Sequence, residues 1–520
     1  MLLGASADML SSHPQPGRVR EEMALRRVEV LEAQNYAGSV DAMEVLHAGV
    51  PALLQGTAVD NWPARSWSWG SLREALRSEN LTDVMRTDGH LYLVPDTRAA
   101  LEPLMQYPAW DESSNMSASD FFDEVEAVGL THTAQTERSV SPDASPTCVS
   151  EPVALNSDAA SSGREWRRSG QRLVYFGAVP KSLRGALQPE AVVFPAAEDG
   201  WQAGGEAGAE AAAEAAVEAA AAGGGVPPPP LETGEGEKTS MWLSTPGVRT
   251  HTHFDSDPNF FVQLVGRKRF VLWPPNQTAL LCPFPRLHPL WHKSRANFEA
   301  PDLSPPCSSY PESEAIATEV APGDLLYIPP FWWHTVETLS PSLSLTTISR
   351  WPQLYIHLNA VYSHEFFFDK LSHRTSRLFA LRAFLTQLLR RAAGGGAGSE
   401  RGLIKALRRQ YTGLEHLFER SADDERALCT LDVRGTPTCR SCLANIKFDV
   451  TITWDEHLVH LPADVRAVVL PELVEELTQH TLGTRQALPF WETCFNGQPF
   501  FLTSRTDEEH RILWEQGPIL

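Results

Sequence analysis

Long apolar runs are missing from this 520-residue chain. No window approaches the ~18 consecutive apolar residues of a membrane span, so no membrane helix is expected. Cysteine is sparse, with seven in the whole sequence. An odd number scattered over a long chain does not make a disulfide framework, so free thiols in a reducing compartment are expected. Basic residues are outnumbered, 44 Lys and Arg against 65 Asp and Glu, for a net charge of −21. Basic clusters are short (Arg167–Arg168, Arg267–Arg269, Arg390–Arg391), and no long basic tract exists. Such a chain is repelled by phosphate backbones, which disfavours nucleic acid as a partner. The opening stretch, "MLLGASADMLSSHPQPGRVREEM", has too short an apolar segment for a signal peptide and carries acids that transit peptides lack. The final "GPIL" matches no retention or peroxisomal signal. The expectation is a soluble intracellular protein, cytoplasmic or nuclear.

What is present divides into ordered and low-complexity stretches. The length exceeds one ordinary domain, and 15 Trp with 42% hydrophobic residues can fill sizeable cores. Residues 21–130 mix strands and helices. "VPALLQG" predicts a strand and "TDGHLYLVPD" another, entered from a turn at Asp88-Gly89. "WSWGSLREALRSE" predicts a helix capped by Ser71 with Glu74 three residues on. Residues 131–169 are rich in Ser, Pro and Asp and are predicted to be a disordered insert. Residues 170–202 restore order with the strand "RLVYFGAV". Residues 203–238, "AGGEAGAEAAAEAAVEAAAAGGGVPPPP" and its flank, read as a second, low-complexity insert. Residues 239–353 are broken into short apolar runs by Pro, Gly and Asp, the mark of an all-β core. Residues 354–520 have apolar residues at helical spacing and form a separate, mainly helical region, with "DVRAVVLPELVEELTQHTL" interrupted at Pro471.

One stretch concentrates metal-binding side chains. In "HTHFDSDPNF", His253 and Asp255 stand two apart. In a strand they project to one face. That is two thirds of the two-histidine, one-carboxylate triad of non-haem iron oxygenases. A His-x-Asp pair arises about once by chance in a chain with this many histidines, and the pair alone is equally the polar tip of a surface loop. A third donor is offered about eighty residues on, in "PGDLLYIPPFWWH", where a turn at Pro322-Gly323-Asp324, a buried strand and a corner at Pro329-Pro330 lead to His334. Between them, "FFVQLVGRKRFVLWPP" contains a hairpin turn at Gly266-Arg267, after which the chain is expected to run back beside the first strand. Lys268, Phe270 and Leu272 then share a face. If that face is interior, Lys268 is a buried cation that needs an anion. Asp257 is one candidate for orienting a ligating imidazole. Cys439 and Cys442, with Cys429 upstream, suggest half a zinc site, but no matching second half stands at suitable spacing, and structural or free thiols are the simpler reading.

"HFDSDPNFFVQLVGRKRFVLWPP" followed by "PGDLLYIPPFWWH" resembles the JmjC/cupin-like family of Fe(II)- and 2-oxoglutarate-dependent oxygenases, and most closely its asparaginyl hydroxylase-like branch. The similarity covers about residues 40–355 and is strongest over 248–351. It implies an α+β protein: a double-stranded β-helix (jelly-roll) core with flanking N-terminal helices, followed by the helical C-terminal region. It implies iron(II) ligation by His253, Asp255 and His334. It implies that Lys268 pairs with the distal carboxylate of 2-oxoglutarate, that Thr250 and Tyr175 hydrogen-bond the same carboxylate, and that Asn259 lines the co-substrate pocket. Ser349 stands where the relatives carry another pocket asparagine, while Trp351 is retained. A homodimer through the C-terminal helices is a further implication.

Three function classes follow: a protein side-chain hydroxylase acting on a protein or peptide, a lysine demethylase or RNA-modifying oxygenase, and a non-catalytic β-helix used for interaction. An intact triad with Lys268 favours an enzyme, because a scaffold has no need of all four. The absence of a paired Cys/His array in the sequence favours the hydroxylase over a chromatin enzyme.

Overall fold

The computed structural model describes residues 25–27, 29–32, 49–87, 90–91, 112–126, 172–187, 238–288, 290–296, 306–348, 352–363, 366–371, 373–392, 399–414 and 440–494. The Ser/Pro/Asp-rich stretch 131–169 lies outside these residues, as do 203–237, Ser349 and Trp351. The chain divides into two units. Unit 1 comprises residues 1–96, 107–282 and 293–352; unit 2 comprises 97–106, 283–292 and 353–520.

Unit 1 holds the strands. They are β1 (Leu25–Arg27), β2 (Glu29–Glu32), β3 (Ala52–Gln55), β4 (Asn80–Thr87), β5 (His90–Leu91), β6 (Glu112–Ser117), β7 (Arg172–Ala178), β8 (Lys238–Ser244), β9 (Arg249–Thr250), β10 (Asn259–Val265), β11 (Lys268–Trp273), β12 (Ala315–Val320), β13 (Leu325–Ile328), β14 (Trp333–Thr338) and β15 (Ser342–Ile348). A nine-stranded sheet runs β2-β3-β13-β10-β15-β8-β7-β4-β6, and a six-stranded sheet runs β1-β12-β11-β14-β9-β5. Pairing is antiparallel except for β1 with β12, β2 with β3 and β5 with β9.

Alternation along the strands decides what each face meets. On β10, Phe260, Val262 and Leu264 join Leu343 and Leu345 of β15, Met241 and Leu243 of β8, and the helical residues Leu72, Leu76, Phe121 and Phe122 in one apolar cluster. Phe261 points the other way. It meets Phe270 and Leu272 of β11, Val320 of β12, and Leu326 and Ile328 of β13, so this second cluster is built from both sheets. The Phe261 and Phe270 rings lie 4.7 Å apart, edge to face. Because both faces of β10 are covered, its seven residues are all buried. The run "NFFVQLV" is therefore continuously apolar apart from Asn259 and Gln263, as a two-sided strand requires.

Two local expectations need correction. Gly266-Arg267 is a turn, with Gly266 at φ +75°, but β11 does not run back beside β10. It crosses to the other sheet and pairs with β12 and β14. A Cβ on Gly266 would sit 2.1 Å from the Pro341 carbonyl oxygen, so the corner admits only glycine. Helix α1 (Trp69–Leu76) is capped by Ser68 rather than Ser71, with Ser71 at the third helical position closing a reciprocal capping box.

Cysteine also departs from expectation. Cys282 and Cys307 of unit 1 form a disulfide, their Cα atoms 5.0 Å apart, and Cys494 of unit 2 is disulfide-bonded too. These thiols are not free.

Unit 2 is helical: α2 (Pro352–Ser363), α3 (Arg374–Ala392), α4 (Ser399–Gln410), α5 (Arg440–Thr451), α6 (Ala463–Leu482) and α7 (Thr484–Cys494). Helix α3 buries Leu378, Leu381, Leu385 and Leu388, spaced three and four apart on one face. Helix α6 runs through Pro471 instead of stopping there. Neighbouring packing supplied by Val468, Leu473, Val474 and Leu477, all buried, offsets the lost hydrogen bond. Two acids sit among them: Glu475 accepts from the Tyr411 hydroxyl and Glu472 from that of Tyr362 at 2.7 Å. Cys439 and the Cys442 side chain lie outside the described residues. Among the described residues no helix is long and apolar enough to cross a membrane.

Candidate metal centre

His253 sits in the loop between β9 and β10, and His334 near the start of β14. Their backbones pair: His253 N donates to His334 O (3.0 Å), and His334 N donates to His253 O (2.7 Å). This short bridge brings the two imidazoles to 4.3 Å between ring centres. Phe331 N donates to Asp255 O (2.7 Å), which ties the aspartate to the corner before β14. Phe331 takes φ +62° there. A bulky residue in the left-handed region is strained by about 1–2 kcal/mol, and its buried ring against Phe254, 5.5 Å between centres, holds it.

Each imidazole is oriented by a backbone carbonyl. His253 Nδ1 lies 2.7 Å from His251 O, and His334 Nδ1 lies 3.0 Å from Trp332 O. An Nδ1–H facing a carbonyl leaves the Nε2 lone pair for a metal. Asp257 is therefore not needed as the orienter. Asn259 donates to Asp255 Oδ2 at 2.9 Å, which fixes the carboxylate. Asn259 Oδ1 is buried and accepts no hydrogen bond from the described residues. One donor atom from each of His253, Asp255 and His334 lies within 4.8 Å of the others. Two imidazole nitrogens and one carboxylate oxygen gathered this closely suit iron(II), which would keep positions for other ligands. The residues present thus fit the metal that the resemblance implies. Among the described residues this is the one such cluster.

Lys268 supplies the second element. It starts β11, is 3% exposed, and donates to Ser344 Oγ on the facing sheet at 2.9 Å. Its Nζ lies 5.3 Å from the Phe261 ring and 5.6 Å from the Trp242 ring. Burial without a carboxylate pushes its pKa down to about 7. A buried amine held by one hydroxyl and two ring faces could receive an anion, which would restore its proton.

Thr250 and Tyr175 fare differently from each other. Thr250, on β9, accepts from Val336 N at 2.9 Å, and its carbonyl accepts from Thr335 Oγ1 at 2.7 Å. Tyr175 is a correction. It pairs in register with Leu243 and packs in the cluster of Leu243, Leu343 and Phe260. Lys268 reaches the opposite face of that sheet, where Ser344 and Trp242 lie. A Cβ added to Gly177 would meet the Tyr175 hydroxyl at 2.6 Å, so the ring lies along that outer face. Tyr175 is not brought to the lysine. Ser349 lies outside the described residues.

A second buried cation was not foreseen. Lys293, in "WHKSRANF", bridges to His253 in an isolated β pair, and the next residue's amide, Ser294 N, donates to Thr252 O at 2.9 Å. Lys293 is 3% exposed. Burial pushes its pKa down to about 8, against the attraction of Asp255. His251 is buried beside it, its Nε2 against Ser294 O. No pattern in the sequence marks Lys293, because its strand segment is too short for a periodic signal.

Comparison with known proteins agrees with this architecture. The chain is 32% identical over 123 residues to human HSPB1-associated protein 1, covering 23% of this chain and 24% of that one. It is 35% identical over 106 residues to JmjC domain-containing protein D of Dictyostelium discoideum, covering 20% and 23%. It is 29% identical over 133 residues to lysine-specific demethylase JMJ31 of Arabidopsis thaliana, covering 24% and 23%. The matched stretches span about a quarter of each relative's length. The profile described as "Cupin-like domain" matches residues 39–366, more than half of the chain, and the protein belongs to that family.

Proposed function

We propose that unit 1 is an Fe(II)- and 2-oxoglutarate-dependent dioxygenase that hydroxylates a protein side chain, built on a double-stranded β-helix of the asparaginyl hydroxylase-like type. The observation that carries the reading is the convergence of His253, Asp255 and His334 beneath two facing sheets, with buried Lys268 on the same interior. When bound, iron(II) and 2-oxoglutarate supply an oxygen-dependent oxidation in which the 2-oxo acid becomes succinate and CO2 and a substrate C–H bond gains one oxygen atom. The chain's own residues do the rest. The triad would hold the metal, and Asn259 would keep Asp255 aimed. Lys268, with Ser344, would bind the distal carboxylate, and the aromatic walls from Phe261 and Trp242 would exclude water. Thr250, whose hydroxyl hydrogen is not used in accepting from Val336 N, would donate to the same carboxylate. A protein partner suits the acidic chain if its target segment is basic or neutral overall, and one relative's name records association with HSPB1. The compartment we infer is cytoplasmic or nuclear.

A second reading, lysine demethylation, is favoured by the name of the relative JMJ31. The two separate by product. Candidate proteins are incubated with enzyme, Fe(II) and 2-oxoglutarate and examined by mass spectrometry. A gain of one oxygen on a side chain, absent with His334→Ala, supports hydroxylation. Formaldehyde release with loss of a lysine methyl group and no stable oxygen gain would replace it with the second reading.

A further inference from the structure

The Cys282–Cys307 disulfide is joined to the candidate metal centre by two short chains of contacts. On one side, the Cys282 carbonyl accepts from Arg295 N at 2.7 Å, and the neighbouring Leu281 carbonyl accepts from Ser294 Oγ at 2.6 Å. Ser294 then grips the histidine segment twice. Its amide donates to Thr252 O at 2.9 Å, and its carbonyl accepts from His251 Nε2. The His251 carbonyl, in turn, orients the His253 imidazole, 2.7 Å from Nδ1. On the other side, Cys307 opens the turn Cys307–Glu312. Tyr310 on that turn is fully buried, and its hydroxyl interacts with that of Thr252. Both cysteines thus lead to the residues that flank one metal ligand.

The crosslink spans 25 residues of sequence, and Ser294 lies inside the ring it closes. A closed ring limits how far its ends can part, and an open one does not. Losing a group that orients a ligating imidazole commonly weakens metal binding by about 10–100-fold. The state of the crosslink is therefore coupled to the centre through Ser294 and His251. Two features favour a bond that opens. In the cytoplasmic or nuclear compartment inferred above, a disulfide is more often transient or redox-sensing than permanent. Cys282 also takes φ +55°, a left-handed backbone that a residue with a Cβ adopts at a cost. Opening the ring lets that residue relax.

We propose that Cys282 and Cys307 form a redox-controlled clamp on the metal centre: the disulfide holds His253 ready to ligate, and reduction loosens it. The clamp rests on the metal reading above. The reductant is a dithiol. One of its thiolates attacks a sulfur of the pair, the other cysteine leaves as a thiolate and takes up a proton, and the second thiol of the reductant displaces the mixed disulfide. Two electrons and two protons pass to the cysteines, and the dithiol becomes a disulfide. A small-molecule disulfide reverses the exchange. The cysteines are 4% and 6% exposed, so exchange proceeds through local opening and the two states are compared at equilibrium.

The test uses the full chain, equilibrated with dithiothreitol or with oxidised glutathione and then freed of reagent without air. Alkylation and mass spectrometry report the state of Cys282 and Cys307. Two properties are compared between the states: Mn(II) affinity, by electron paramagnetic resonance, and hydrogen exchange of the metal-free chain at the amides of His253, Ser294 and His334. Reduction is expected to weaken Mn(II) binding about tenfold or more, to speed exchange at these amides, and to be reversed by oxidised glutathione. The double variant Cys282→Ser/Cys307→Ser should match the reduced chain and ignore dithiothreitol. Cys494→Ser, which removes the crosslink of unit 2, should respond as the wild type does. Ser294→Ala, with the disulfide intact, should weaken Mn(II) binding and shrink the response to reduction. A pair that dithiothreitol cannot reduce, equal affinity and exchange in both states, or a response that persists in the double variant overturns the clamp. Loss of far-ultraviolet circular dichroism on reduction also overturns it, in favour of a crosslink that merely holds the fold. Failure of the wild-type chain to bind Mn(II) in either state overturns the metal reading beneath it.

Discussion

Lys268 gives the sharpest test of the co-substrate site, because its pKa and its role are linked. An ammonium in water titrates near 10.5, and burial brings this one down to about 7. The difference is on the order of 5 kcal/mol at 1.36 kcal/mol per unit, borne by a group held by Ser344 and two ring faces. A depressed lysine pKa has a definite sign. The unfolded state holds the proton more tightly, so this group's contribution to stability is lost as pH falls from about 10.5 to about 7. Binding a carboxylate restores the proton. At pH 8.5, 2-oxoglutarate should therefore take up close to one proton on binding to the Mn(II)-loaded protein, and at pH 6 almost none. Affinity should weaken up to roughly tenfold per pH unit above about 7. Calorimetry in two buffers of different ionisation enthalpy counts the protons. Lys268→Met should abolish the affinity and the proton uptake together, leave Mn(II) binding intact, and raise the stability of the ligand-free protein near pH 6. Normal 2-oxoglutarate affinity in Lys268→Met, or no proton uptake at pH 8.5 in the wild type, would refute the reasoning.

Other perturbations follow from the same geometry. Gly266→Ala places a Cβ against the Pro341 carbonyl at φ +75°, so urea unfolding should show a loss of more than about 1–2 kcal/mol, the left-handed penalty alone; an unchanged midpoint would mean the corner is not built this way. In unit 2, burial raises the Glu475 carboxyl to about 8 and that of Glu472 to about 7. Both acids bind protons more tightly when folded, so their part of the stability is full below about pH 4.5 and is lost as pH rises through about 7 and 8. Glu475→Gln should flatten that loss in thermal melts between pH 5 and 9, and an unaltered pH profile would count against the buried acid.

The triad was legible because its pieces are local and regularly spaced. His253 and Asp255 stand two apart, and His334 follows a turn, a short strand and a corner that can each be read from residue type. Lys268 was legible because Phe270 and Leu272 continue its face. What failed depends on long-range choices. A glycine turn after an apolar strand announces a reversal, yet it does not say which sheet receives the next strand; Gly266 sends β11 to the partner sheet. Tyr175 lay on the right strand and the wrong face, since a shift of one residue exchanges the two sides of a sheet. Ser68 and Ser71 both satisfy a capping pattern, and only Ser68 has the extended backbone of a cap. Cys282 and Cys307 stand 25 residues apart with no motif joining them, and Lys293 lies in a segment without periodicity.

The two lysines bear on the choice between enzyme and scaffold. Lys268 and Lys293 are each 3% exposed, and Asp255, 31% exposed at its side chain, is the acid placed among the triad residues. A chain selected only to present a surface to a partner gains stability by replacing such lysines with methionine, because well-packed apolar groups commonly outdo buried charges. Keeping both costs stability in the empty protein, and an anion bound beside either would offset part of that cost. Local rules broken inside an otherwise consistent core mark the places where function overrode stability. Buried Lys268, joined across to Ser344, and buried Lys293, bridged to His253, are such places. They support the proposal that this interior takes up a dicarboxylic acid.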